Sequence, residues 1–204
     1  MKKLLQLSGF VAVLLLLFYA GSLLADKQTL RNDVIRLHVV ADSDSTEDQK
    51  LKLSVRDAVI AYVQNDIDIL ADAPEARNYL ASKLPALEEV ANKTLKGLGS
   101  TDKAKAYLTK EKFGVREYDT FSLPSGVYES LRIEIGNAAG KNWWCVIFPT
   151  LCLPTTQDGF TDTAIAAGFT DGLTNTLSDN DRYEVRFFLL DCIGKLENFF
   201  SFSS

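Results

Sequence analysis

Hydrophobic and polar positions follow three different rhythms along this chain. From Phe10 to Ala20 (FVAVLLLLFYA) there is no charge at all, and Lys2 and Lys3 stand ahead of the run. A basic start followed by an apolar stretch is the pattern of an export signal. The wider run from Leu4 to Leu24 also approaches the ~20 residues that a membrane helix needs. Cleavage after Ser22 would put Ala20 and Ser22 at the small-residue positions, and cleavage after Ala25 would put the bulkier Leu23 at one of them. Residues 1–25 therefore read either as a signal peptide or as an N-terminal membrane anchor. Residues 26–204 read as one exported domain, with membrane contact only through residues 4–24 if the leader is uncut.

The second rhythm is helical. Val34–Val40 (VIRLHVV) is a β-branched run and predicts a strand. The polar turn Ala41–Ser45 follows, and then Leu51, Val55, Val59, Tyr62 and Val63 recur at helical spacing within Thr46–Asn65. Asp44 or Ser45 can cap that helix, and Glu47 and Asp48 suit the positive end of its dipole. A further helical stretch covers about Pro74–Lys96 and ends at Gly97 and Gly99. Pro85 predicts a fresh helix start inside it, because proline suits a first turn and not an interior.

From residue 103 the period drops to two. Ala104, Ala106 and Leu108 alternate with polar residues, as do Leu131, Ile133 and Ile135, and Tyr118–Leu123 predicts a short strand. Gly136–Gly140 reads as a turn, and Asn142–Phe148 as a near-continuous apolar strand in the centre of the sheet. The Thr-, Asp- and Gly-rich stretch 155–181 predicts one short helix at 163–169. A last strand at 184–190 and a closing helix at 191–200 complete the pattern. One strand, then helices, then hairpin-linked strands predict an α+β fold, with a mainly antiparallel sheet packed with helices.

Charge narrows the partners. The chain has 22 Lys+Arg against 27 Asp+Glu, and the exported part keeps 20 basic and 27 acidic side chains, a net −7. Nucleic acid is excluded as main partner, since phosphate binding needs concentrated Lys and Arg. An anionic lipid surface would repel the domain, so attachment falls to the leader or to a protein. A single histidine, His38, and three cysteines leave little for a zinc site, and no metal or cofactor is expected.

Three motifs invite chemistry. Asp42-Ser43-Asp44-Ser45-Thr46, directly after a strand, matches the DxDxT signature of haloacid-dehalogenase-type phosphatases, in which paired carboxylates hold magnesium. The same residues also read as a capping turn, and the hairpins that follow do not fit that fold's parallel sheet. Gly136–Asn142 (GNAAGKN) falls one residue short of a phosphate-binding loop and leads into a strand, so it reads as a connection. Cys145 and Cys152 are close enough to pair in an exported chain, with Cys192 as an alternative partner for either. Trp143 and Trp144 should point to opposite faces of their strand.

Two blocks, RLHVVADSDSTEDQKLKLSVRDAV (Arg36–Val59) and LPSGVYESLRIEIGNAAGKNWWCVIFPTLC (Leu123–Cys152), closely resemble the stage II sporulation protein R family. The resemblance extends to RYEVRFFLLD at 182–191. It implies a non-catalytic signal, exported from the forespore into the space between the forespore and mother-cell membranes. There it would trigger a membrane-embedded aspartic protease that matures the precursor of sigma factor E. The family's blocks fall on Arg36, His38, Asp42, Ser43, Asp48, Gln49, Lys52, Val55, Arg56 and Asp57. They also fall on Leu123, Pro124, Gly126, Tyr128, Gly140, Lys141, Asn142, Trp143, Trp144, Cys145, Pro149 and Cys152. The partner-binding candidates among them are Arg36, His38, Asp42, Asp48, Gln49, Lys52, Arg56, Asp57, Lys141, Asn142, Trp143 and Trp144. Asp48, Lys52 and Arg56 lie four apart and form one charged helix stripe. Either that stripe is a solvated face, or it joins the Asp42–Asp44 turn in a recognition surface.

Overall fold

Strand β1 (Ile35–Val40) is buried along its whole length, as a run of β-branched residues between two apolar layers should be. The computed structural model describes residues 2–118, 120–151, 157–166 and 169–179. β1 pairs in parallel with β5 (Gly126–Ile135) and antiparallel with β6 (Asn142–Phe148). β2 (Ala104–Phe113) pairs antiparallel with the other edge of β5, giving the order β2-β5-β1-β6. The fold is thus α+β, with two antiparallel pairs flanking one parallel pair. The centre is β5 and β1, whereas β6, expected there, ends the sheet among the described residues. Its apolar run reflects cover on both faces, with Cys145 and Ile147 in one core cluster and Val146 in the other.

The two faces of β1 differ in chemistry. Ile35, Leu37 and Val39 look toward α2 (Thr46–Ile67) and α3 (Ala73–Gly97), and they share that core with Leu131, Ile133, Cys145 and Ile147. In α2 the buried stripe Leu51, Val55, Val59, Val63 and Ile67 recurs every four residues, and Ser45 accepts the amide of Asp48 as N-cap. In α3 the N-cap is Asp72, and the helix runs unbroken through Pro85. The expected restart does not occur because Pro85 and Ala81 are both exposed, so water can satisfy the carbonyl that proline leaves unpaired.

On the opposite face, Val34 packs with Phe121, Leu123, Tyr128, Val146 and Phe160. This layer includes β3 (Arg116–Glu117) and β4 (Ser122–Leu123), which form a separate two-stranded ladder in place of the longer strand expected at 118–123. It also includes α4 (Gln157–Ala166) and α5 (Asp171–Ser178), where one helix was expected at 163–169. The strand and helix expected at 184–200 lie outside the described residues.

The N-terminal apolar run belongs to α1 (Lys2–Asp33), a single helix of 32 residues that delivers Leu30 into the second core. Phe10, Leu14, Leu17 and Phe18 on it stand 49–79 % exposed. Among the described residues no helix is long and apolar enough to cross a membrane, and six positions of Leu4–Leu24 fall outside that search.

Candidate functional site

Because β1 and β5 run parallel, the loops that follow them emerge at the same end of the sheet. There the 41–45 turn and the 136–141 turn lock together. Asp42 accepts from the Asn137 backbone amide and from its side-chain amide at 3.0 Å, and Asp44 accepts from the Lys141 amide at 2.7 Å. The Ala139 amide donates to the Asp42 carbonyl at 3.1 Å and the Gly140 amide to the Ala41 carbonyl at 2.9 Å. Gly136 takes a φ of +59°, a region that favours glycine, and a Cβ there would lie 2.9 Å or less from three atoms of Asp42.

The first turns of α2 close the latch from the side. Ser43 donates to Asp48, and Gln49 Nε2 donates to the Ser43 carbonyl at 2.8 Å. Hydrogen bonds from Ser43 and then Ser45 hold the Asp48 carboxyl below its ordinary range. Lys52 is buried and donates to Gln49 Oε1 and, at 3.1 Å, to the Lys141 carbonyl. Burial, and then the neighbouring Arg56, lower the Lys52 pKa, while Asp44 opposes them. One turn further along α2, the Arg56 guanidinium lies 4.2 Å over the Trp143 ring and pairs with Asp57 at 2.7 Å. Asp57 is largely exposed, whereas Arg56 is mostly buried over the half-buried Trp143 ring, so the group presents the Asp57 carboxylate and part of the Arg56 guanidinium at the latch's flank.

A second polar cluster lies on the other face. His38 stacks on Trp144 at 3.5 Å, and its Nδ1 faces both Glu111 oxygens at 3.1 Å. Its Nε2 faces Asn142 Oδ1 at 2.9 Å, and Arg132 joins Glu111 and Glu134. Burial pushes the Glu111 carboxyl up, but hydrogen bonds from His38 and Arg132 outweigh it and hold the pKa at about 2, against 4.5 ordinarily. This interaction is complete above pH about 4.5 and is lost as pH falls toward about 2. Glu111→Gln should therefore flatten the acid limb of stability in that window, as urea midpoints measured from pH 2 to 6 would report. An unchanged acid slope would remove Glu111 from that role.

The expected site residues thus divide. Asp42, Asp48, Gln49, Lys52 and Lys141 meet in the latch, with Arg56, Asp57 and Trp143 beside it. His38, Asn142 and Trp144 belong to the cluster on the opposite face, and Trp143 and Trp144 do point to opposite faces. Arg36 is buried nearer the other end of β1. Its Nη2 donates to the Tyr118 hydroxyl, and Phe113 faces the guanidinium at 4.0 Å. Sequence reading missed Asn137, Glu111, Arg132 and Tyr118. The glycines at 136 and 140 were the available signal for Asn137; the others carry none in the sequence.

Asp42 and Asp44, which a DxDxT phosphatase would turn toward magnesium, instead accept backbone amides of the facing loop. Cys145 is buried and disulfide-bonded, and both Cys152 and Cys192 lie outside the described residues. A groove of ≈ 660 Å³ lies at the opposite end, lined among others by Arg31, Arg77, Lys110 and Glu129.

These features define a small α+β domain whose polar side chains fasten two loops and a helix start together. The profile of the family described as stage II sporulation protein R matches residues 31–158, and the chain belongs to that family. It is 36 % identical over 128 residues to the stage II sporulation protein R of Bacillus subtilis (strain 168). That alignment covers 63 % of this chain and 57 % of the relative, so the chain spans little more than half of the relative's length. The name is that of a sporulation protein and specifies no reaction. The family match ends before the RYEVRFFLLD segment at 182–191. No solved structure matches.

Proposed function

We propose that this chain is an exported sporulation signal that activates a membrane-embedded aspartic protease in the mother cell, leading to maturation of the precursor of sigma factor E. Family membership is the observation that supports this reading, through a match that contains both the latch and the Arg56–Trp143–Asp57 group. The chain acts by binding, with no cofactor, in the space between the forespore and mother-cell membranes. The exposed apolar half of α1 supports an export or anchoring role for residues 4–24.

Arg56, Asp57 and Trp143 form the contact surface, since arginine and tryptophan beside a rigid support are the residue types that dominate interface energies. Arg56→Glu should abolish triggering while the protein still folds, with the melting temperature lowered only by the loss of a half-buried cation–π contact worth about 1–2 kcal/mol. The test is co-expression with the protease and the sigma-factor precursor in a non-sporulating host, with and without residues 1–25, followed on gels. Cleavage that depends on this chain and on its leader supports the reading. Absence of cleavage, where a relative does trigger it, overturns the reading, and full triggering by Arg56→Glu overturns the surface.

A further inference from the structure

Arg36 stands apart from its buried and half-buried charged neighbours on its face of the sheet. Along that face Arg132 has Glu111 and Glu134, and His38 has Glu111 and Asn142. Arg36 is fully buried, yet its Nε and Nη1 have no hydrogen-bond partner. Its surroundings are aromatic: Phe113 at 4.0 Å, Tyr128 at 5.4 Å and Tyr118 at 6.0 Å from the guanidinium carbon. Among the described residues no carboxylate acts on it, and the nearby Arg116 disfavours its charge further.

A buried guanidinium without an anion is costly, and ring faces offset that cost only in part. Its geometry also names what is missing. Nε and Nη2 lie on the same edge of the planar group, the edge that grips a carboxylate with two parallel hydrogen bonds. Nη2 is taken by the Tyr118 hydroxyl, and Nε on that edge is empty. Tyr118 sits between β3 and β4, whose two-residue ladder is separate from the main sheet. Moving this small ladder aside would free the whole edge at the cost of drawing Phe121 and Leu123 out of the second core, but without breaking a strand pairing of the four-stranded sheet.

We infer that Arg36 is a receptor for one carboxylate side chain of the partner protein, reached when the β3–β4 ladder swings away and Tyr118 yields its place. This rests on the reading that the chain works by binding a protein. Phe113 and Tyr128 stay behind as the walls of the opened site, and Arg116, carried on the moving ladder, draws the acid toward it. The occupant is an aspartate or glutamate on a protein surface.

The test follows amide hydrogen exchange of Arg116, Glu117, Tyr118 and Leu123 in the full chain, with sodium acetate against sodium chloride at equal ionic strength. Acetate at about twice its dissociation constant for the open form should raise the open population, and hence exchange, about threefold. Arg36→Met should fold with an unreduced melting temperature, since apolar replacement of a buried charge is often neutral or stabilising, and should show no acetate effect. Tyr118→Phe should exchange faster than wild type before any acetate is added. No acetate effect in wild type, or the same effect in Arg36→Met, overturns the inference. Equal acceleration by inorganic phosphate overturns the assignment to a carboxylate. Should the co-expression assay fail while the acetate effect holds, the protease reading falls and Arg36 remains a carboxylate receptor.

Discussion

Gly140→Ala is expected to lower the melting temperature by about 6–12 °C, corresponding to about 3 kcal/mol. A Cβ at this position would lie 2.9 Å from the Ser43 Cα and closer still to the Ser43 carbonyl. These are backbone atoms, fixed from both sides. The Gly140 amide holds Ala41, and Ser45 caps α2 immediately after. No rotamer change relieves the overlap, so either the 136–141 turn or the 41–45 turn must move. Gly97→Ala is the control, because nothing lies within 4 Å of a Cβ there and it closes a helix. It should gain about 0.5–1 kcal/mol from helix propensity. A Gly140→Ala protein that melts with wild type would show that the two loops are not in contact as described.

Asp42→Ala is expected to cost about 2–3 kcal/mol, because a charged acceptor for two donors of Asn137 disappears. Asp42→Asn should cost far less, since its amide oxygen still accepts from the Asn137 amide. Urea midpoints would give the two values, and exchange of the Asn137 and Gly140 amides would locate the loss. The pair of variants also separates a latch from a nucleophile. A phosphatase would lose all hydrolysis with Asp42→Asn, whereas a latch loses little. An unaltered midpoint for Asp42→Ala would refute the latch.

How far the sequence reveals this architecture depends on the range of the interaction that decides each feature. α2 was legible because its stripe of Leu51, Val55, Val59 and Val63 and its Ser45 cap are local. β1 was legible because Val34, Ile35, Val39 and Val40 make the short stretch rich in β-branched residues just before a polar turn. The rank of β6 in the sheet was not, since an apolar run reports covered faces and is silent about neighbours along the hydrogen-bonding direction. Pro85 misled because its tolerance depends on which side of α3 faces water. The latch was half legible: Asp42, Asp44, Gly136 and Gly140 each read as turn residues. That they form one turn pair could not be seen, because Asp42 and Asn137 are 95 positions apart. Glu111 and His38, 73 positions apart, were unreadable for the same reason. The three buried groups Arg36, His38 and Lys52 also show that a residue carried over from a family pattern can serve the interior as readily as the surface.

The parallel pairing of β1 with β5 governs when this protein acquires its working shape. A chain made from its N-terminus presents β1 early, yet both strands that flank it lie some 90 or more positions later. Closing so large a loop is slow compared with forming the adjacent α2–α3 hairpin, so the helices organise first and the sheet waits. The latch, which needs Asp42, Asp44, Asn137 and Lys141 together, assembles only after the 136–141 turn has been made. A chain arrested before residue 141 would have its helices formed and its latch unmade, so the loops fasten only once the chain has been made through Lys141.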